Sequence, residues 1–291
     1  QFDGLVKIGI DTRGFLEAIA EAIRDPGTSE IVSQRQRFAS EQTWSNRVDS
    51  LLNTVETHLK PPKVSVVVVT FNNINLTRDC LRSIDHYSQY DNLEVIVVDN
   101  ASKDDTPSYL STWASQGGNR QIILNTDNRG FAAANNQGLK VASGEYLVLL
   151  NNDTFVTPGW VSTLVKHLQR DSTIGIIGPV TNNIGNEAKI DISYTNMDEM
   201  IAASRKYTLA NSGKVCPLTT AAFFCVMFSR EIYEKVGDLD ESFGRGFFED
   251  DDFCRRVEAI GKRIVCAEDV FIHHHLSASF NKLDNIERLV L

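Results

Sequence analysis

From Val64 onward, short apolar runs alternate with segments of helical period. Val64 to Val69 (VSVVVV), Leu93 to Val98 and Tyr146 to Leu150 are almost unbroken apolar runs. That is the pattern of strands buried on both faces of a parallel sheet. Gln121 to Leu124 predicts a shorter strand, Ile174 to Val180 another ending in Gly178-Pro179, and Ala221 to Phe228 (AAFFCVMF) a core strand. The segments between them are amphipathic. Leu76, Cys80, Leu81 and Ile84 share one helical face, Thr106-Pro107 opens a helix with Thr106 as cap, and Ala132 to Val141 is a small-residue helix. Trp160, Leu164, Val165 and Leu168 follow Thr157-Pro158, which predicts Thr157 as cap and Pro158 at the first helical position. This βαβ alternation predicts an α/β fold with a mostly parallel central sheet flanked by helices.

Residues 1–60 read differently. Phe15, Leu16, Ile19, Ala22 and Ile23 share a face that Asp25-Pro26-Gly27 stops. Trp44, Val48, Leu51, Leu52, Val55 and Leu59 form a second such face running up to Pro61-Pro62. The chain is therefore divided into a helical extension, 1–60, and a domain, 61–291. Within the domain, Thr181 to Val215 is polar with a helical piece near Met197 to Arg205, and Arg230 to Val236 forms a short helix.

The predicted strands end in polar residues: Thr70-Phe71-Asn72-Asn73, Asp99-Asn100-Ala101-Ser102, Asn125 to Phe131 and Asn151-Asn152-Asp153-Thr154. Open α/β sheets bind ligands at the carboxyl ends of their strands, and an acid after the second strand, Asp99, is placed to hydrogen-bond a ribose or base. The glycine-rich phosphate loops are missing, since TFNNIN has no glycine. A divalent cation at Asp153 would hold phosphates instead, by bridging two oxygens. A second acidic centre, Gly244-Arg245-Gly246-Phe247-Phe248-Glu249-Asp250-Asp251-Asp252, opens a helix carrying Phe253, Val257 and Ile260. Favourable charge at a helix N-terminus explains one or two of these acids, not all. Near the end stand His273, His274 and His275, within Phe271 to Phe280. Strand side chains alternate, so the three cannot all face one ion.

Charge and cysteine content narrow the function. The net charge of -9 argues against a general nucleic-acid binder, and it means that a polyphosphate needs a cation, backbone N–H groups or placed Arg and Lys. The 5 cysteines (80, 216, 225, 254 and 266) form no CxxC pair, which points to reduced thiols in a cytosolic compartment. No stretch approaches the roughly 20 apolar residues of a membrane span, and no signal peptide opens the chain; a peripheral membrane contact stays compatible.

The ordered set VSVVVVTFNN, VIVVDNASKDDT, NRGFAAANNQGL, GEYLVLLNNDTFVTPGW and GFFEDDDFCRRV resembles family 2 glycosyltransferases of GT-A fold, of the kind that builds bacterial surface polysaccharides with rhamnosyl or galactosyl transfer. The resemblance spans about Val64 to Phe280. It implies a Rossmann-like sheet and a metal-dependent, inverting transfer from a nucleoside-diphosphate sugar, UDP or dTDP foremost, to a glycan or lipid-linked glycan. By resemblance Thr70, Phe71 and Asn72 border the nucleotide, Asp99 and Asn100 lie at its base or ribose, and Gly130, Phe131 and Asn136 shape the donor pocket. Asn151-Asn152-Asp153 stands where the family often has Asp-x-Asp; with Asn151 in the first place, Asp153 is the principal ligand of Mg²⁺ or Mn²⁺. A late histidine completes the metal shell in several such enzymes, which points to His274, with His275 or His273 as second choices. Asp250 is the implied base, Glu249 its neighbour, and Asp252 caps the helix or pairs with Arg255 or Arg256. The spacing FLEAIAEAIRDP, then RQRFASEQTWSNRVDSLL, resembles the closing helices of a GT-B glycosyltransferase, which implies a second transferase module in a longer chain. Two rival readings are a sugar nucleotidyltransferase, which would want a glycine-rich basic loop after the first strand, and a catalytically silent carbohydrate-binding module.

Overall fold

The computed structural model describes residues 10–24, 27–41, 43–244 and 248–275, and the side chains of 41 and 52–59 lie outside that description. Its contacts divide the chain into two compact units, 1–60 and 61–291. The first holds helices α1 (Thr12–Arg24), α2 (Ser29–Glu41) and α3 (Trp44–Leu59). On α1 the predicted apolar face, Phe15, Leu16, Ile19 and Ile23, is exposed. Helix α2 is polar enough that apolar periodicity does not announce it. The predicted stop at Asp25-Pro26 and the apolar positions Leu52, Val55 and Leu59 fall outside the described residues or side chains.

The second unit runs β1 (Val64–Thr70), α4 (Ile74–Tyr87), β2 (Leu93–Asp99), α5 (Thr106–Ala114), β3 (Arg120–Leu124), α6 (Phe131–Val141), β4 (Tyr146–Asn151), β5 (Thr154–Val156), α7 (Trp160–Arg170) and β6 (Ile174–Val180). It continues with α8 (Met197–Ala210), β7 (Val215–Pro217), β8 (Cys225–Ser229), α9 (Arg230–Val236), a 3-10 turn (Glu241–Phe243), α10 (Glu249–Ala259) and β9 (Arg263–His274). The sheet order is β3-β2-β1-β4-β8-β6-β9-β5, with β7 on β9. The first four strands are parallel; β8 then runs antiparallel to both β4 and β6, and β6 pairs parallel with β9.

Strand side chains alternate between the faces, and both faces are covered. Val66, Val68, Val148 and Leu150 pack with Leu81, Ile84, Leu110, Trp160 and Leu164 of α4, α5 and α7. Val67, Ile96, Leu147 and Leu149 pack with Leu139, Met200, Phe228, Phe253 and Val257 on the other side. Double coverage is why these strands read as unbroken apolar runs.

Three local expectations are corrected. Helix α7 starts at Trp160, after Gly159 in a left-handed turn (φ 81), so Thr157 is no cap; its hydroxyl donates to the Phe271 carbonyl of β9 at 2.6 Å. At α5 the N-cap position is Asp105, and Thr106 is helical, its N–H donating to Asp104 Oδ1 at 3.0 Å. The strand expected over Ala221–Phe228 is extended only from Cys225, and Phe223 and Phe224 lie in the turn before it.

At the amino ends of the strands a buried carboxylate clasps the sheet. Glu94 on β2 accepts from the Ser65 hydroxyl (2.5 Å) and from the Ser143 N–H (2.6 Å), and pairs with Lys63 Nζ at 2.8 Å. Ser65 Oγ in turn accepts the Gly144 N–H at 2.7 Å. Burial alone would raise the Glu94 carboxyl, but Lys63, Ser65 and Ser143 together hold it below its ordinary value. A Cβ on Gly144 would come within 2.6 Å of the Ser65 backbone nitrogen. Gly144→Ala is therefore expected to lower stability by about 1–3 kcal/mol in urea denaturation, as overpacking against backbone does; an unchanged midpoint would show that the clasp yields. The Glu94 contribution should be complete above its unfolded-state pKa of about 4.3 and vanish as pH falls through the lower folded value. The stability gap between wild type and Glu94→Gln should thus shrink on acidification, and a gap independent of pH would contradict the ionised clasp.

Candidate active site

Parallel register brings the carboxyl ends of the strands to one rim: Thr70 lies beside Asp99, Asp99 beside Leu124, and Val69 beside Asn151. The loops beyond are bound to one another. The Asn72 N–H donates to Ser102 Oγ (2.7 Å), Ser102 Oγ donates to the Asp99 carboxylate, and the Lys103 N–H donates to Asn72 Oδ1 (2.8 Å). Asn72 and Asn73 are left-handed, with φ 56 and 60. Asparagine tolerates that region, so this turn manages without glycine. Burial raises the Asp99 carboxyl, opposed by the two Ser102 hydrogen bonds.

Several rim amides are spent internally. Asn100 donates to Asn128 Oδ1 (2.8 Å) and the Gly130 carbonyl (3.1 Å), and accepts from the Arg129 N–H (3.0 Å) and Asn125 Nδ2 (3.2 Å). These four bonds shape the loop that Gly130, at φ 85, turns into the start of α6 at half-buried Phe131. Asn136 exchanges bonds with the Leu239 backbone and donates to Glu241 Oε1, all at 2.9 Å. Asn152 Nδ2 donates to the hydroxyls of Thr70 (3.2 Å) and Thr77 (3.0 Å), themselves 2.7 Å apart. Thr70 and Asn152 thus brace β1, α4 and β4 from beneath the rim.

Strand β5 pairs antiparallel with β9, setting Thr154 opposite His274, and the His275 N–H donates to the Asp153 carbonyl at 2.9 Å. This brings Asp153 and His274 together, 6% and 7% exposed. His274 Nε2 lies 3.4 Å from Asp153 Oδ1, yet that oxygen is buried without a hydrogen-bond partner. His274 Nδ1 lies 3.0 Å from the Asn183 carbonyl. A carbonyl only accepts, so Nδ1 donates there and Nε2 is the ring nitrogen left to face the carboxylate. An unpartnered carboxylate oxygen and an imidazole nitrogen facing it in a buried place would suit a shared cation, and hydrogen bonding at the far ring nitrogen is what orients a ligating imidazole. Carboxylate and imidazole together would bind a divalent cation. Among the described residues no group of three or more His, Cys, Asp or Glu is placed to hold a metal ion, so Asp153 and His274 would hold one as a pair. Asn182 grips the His274 backbone at both its N–H (2.9 Å) and its carbonyl (3.2 Å), and the Phe224 ring stacks on the imidazole at 5.0 Å.

Alternation sends the neighbouring histidines to the other side. His273 Nε2 and His275 Nδ1 are 3.3 Å apart, and Tyr194 closes on His273 Nδ1 at 2.5 Å. Burial, with the other histidines, holds His273 down at about 4; burial also lowers His275, against the pull of Asp153.

The acidic centre begins at Phe248, a left-handed residue with φ 73; Arg245, Gly246 and Phe247 fall outside the described residues. Backbone strain of this kind gathers at functional sites. Glu249 is buried with Oε2 unpartnered, and burial raises its carboxyl, helped by the charges of Asp250 and Asp251. Burial also raises Asp250, opposed by its own contacts with the backbone of Asp251 (2.9 Å) and of Phe223. Asp252 pairs with Arg256 at 2.7 Å, one of the two partners expected for it. The two centres adjoin the same two residues: the Phe223 backbone lies beside Asp250, while Phe224 stacks on His274 and its carbonyl accepts the Asn151 N–H at 2.8 Å. Asn182, Asn183, Tyr194 and the Phe223-Phe224 turn were not singled out from the sequence. For the asparagines a signal existed, since TNN directly follows a buried strand as the other rim loops do.

The chain resembles known proteins in the same sense. It is 30% identical over 242 residues to the uncharacterized protein y4gI of Sinorhizobium fredii, covering 78% of this chain and 26% of that protein. It is 29% identical over 237 residues to the O-antigen biosynthesis protein RfbC of Myxococcus xanthus, covering 75% and 18%. It thus spans about a quarter or less of the length of these two relatives. The mannosyltransferase PcManGT from Pyrobaculum calidifontis, solved with GDP-Man and Mn²⁺, superimposes with a TM-score of 0.55 at 26% identity, over 73% of this chain and 56% of that one, and the architecture is the GT-A fold. Residues 65–237 match the model of glycosyl transferase family 2, more than half of the chain, and the chain belongs to that family.

Proposed function

We propose that this chain transfers a sugar, with inversion, from a nucleoside-diphosphate sugar to a hydroxyl of a glycan or lipid-linked glycan, in polysaccharide synthesis. The observation that carries the reading is the buried, unpartnered Asp153 Oδ1 facing His274 Nε2. Asp153 and His274 would hold Mg²⁺ or Mn²⁺. When bound, such an ion supplies charge neutralisation for the donor diphosphate and for the nucleoside diphosphate that leaves. The rim formed by Phe71, Asn72, Asp99 and the Asn100-braced loop at Gly130 takes the nucleoside, and Asp99 keeps acceptor capacity for a ribose hydroxyl. Asp250 removes the proton from the acceptor hydroxyl, and its raised pKa brings it towards the working pH, where a general base is most effective. Glu249 beside it binds acceptor hydroxyls. In this reading 61–291 is the transferase domain and 1–60 its helical extension, which the contact division supports. No helix among the described residues is long and apolar enough to cross a membrane.

A thermal-shift panel of UDP, dTDP, GDP and ADP with and without Mn²⁺ tests the metal reading, since a ligand of the folded state raises Tm with occupancy. One nucleotide should raise Tm further when Mn²⁺ is present, and His274→Ala and Asp153→Ala should lose that increment. Equal shifts with and without the ion would overturn it. Asp250→Asn should cut transfer by about 10²–10⁴-fold while nucleotide binding is unchanged. In the wild type, activity should fall as pH drops through a point above the ordinary aspartate value, because the base must be ionised to work. Full activity in Asp250→Asn would remove it from the mechanism.

A further inference from the structure

Among the cysteines, Cys216 and Cys266 stand apart from the site already described and face each other across two strands. All five are free thiols. Cys216 on β7 is in register with Cys266 on β9. Two residues to either side, the Leu218 N–H donates to the Ile264 carbonyl and the Glu268 N–H to the Lys214 carbonyl, both at 3.0 Å. Antiparallel ladders repeat every two residues, so Cys216 and Cys266 form a hydrogen-bonded pair with Cα atoms about 5.5 Å apart. Disulfides most often span about that distance. Hydrogen bonding with Cys266 draws the facing Cys216 thiol down to about 7, against burial and the nearby Glu268. Cys266, fully buried, keeps its proton and is pushed far up. The pair is therefore asymmetric, a half-exposed nucleophile before an enclosed partner. Strand β7 is three residues long and, among the described residues, pairs only with β9, so any closing movement falls on a short strand.

We propose that Cys216 and Cys266 are a paired-thiol modification site, at which a low-molecular-weight disulfide is exchanged for an intramolecular Cys216–Cys266 disulfide. The Cys216 thiolate attacks one sulfur of the reagent, whose S–S bond breaks and releases one thiolate. The Cys266 sulfur then attacks the Cys216 sulfur of the mixed disulfide and expels the second thiolate, which takes up the Cys266 proton. Two protein thiols are oxidised and the reagent is reduced to two thiols. The site does not depend on the proposed sugar transfer.

The test is to incubate the chain with oxidised glutathione, quench by alkylation in denaturant, count free thiols and digest with trypsin. The expected result is a loss of two thiols from 5, no retained glutathione, and a peptide pair joining 215–230 to 264–282. Because 215–230 also contains Cys225, fragmentation must place the bond on Cys216, and Cys216→Ser should abolish the pair whereas Cys225→Ala retains it. Five unchanged thiols, a lasting glutathione adduct on Cys216, or a bond mapped to Cys225 would each overturn the proposal.

Discussion

A carboxylate oxygen with no hydrogen-bond partner and an imidazole nitrogen are held 3.4 Å apart in a nearly closed part of the protein. In water they would separate or take up a solvent molecule; here the backbone forbids it. The β5–β9 pairing sets their spacing, Asn182 clamps the histidine backbone, and the Phe224 ring closes one face of the imidazole. The cation proposed for this corner would relieve the cost of leaving a buried carboxylate oxygen unpartnered in surroundings of low dielectric. The rest of the domain is arranged to deliver that corner. The parallel strands bring the polar rim up to Asn151, and the Phe223-Phe224 turn adjoins both Asn151 and Asp250.

The doubly covered strands were legible because burial on both faces writes continuous apolar runs, and the rim was legible because polar residues stop those runs at one level. Local ends were harder. Thr157 has the look of a cap, but its hydroxyl has a better partner in the Phe271 carbonyl, 114 residues away, which no local window contains. Ala221 to Phe224 is as apolar as the strand it precedes, so hydrophobicity alone cannot tell the turn from the ladder. The histidine run was readable as far as alternation goes, and register against Thr154 then selects His274 for Asp153. What spacing could not show is how the rim amides are used. An asparagine facing a ligand and one stitching two loops look identical in a sequence, and here Asn100, Asn136 and Asn152 do the stitching. Rigid loops are what a preorganised polar site requires, so that the binding groups need not be ordered at each encounter.

The Glu94 clasp and the rim sit at opposite ends of the same strands. On β1, Ser65 belongs to the first and Thr70 to the second, and five residues of extended chain separate them by about 17 Å. Substitutions that far apart and without shared partners combine almost additively. The sheet is thus partitioned into an anchoring end and a variable end. Loops at the variable end can be changed while the anchoring end preserves the fold, but because they are stitched to one another they have to be changed as a set.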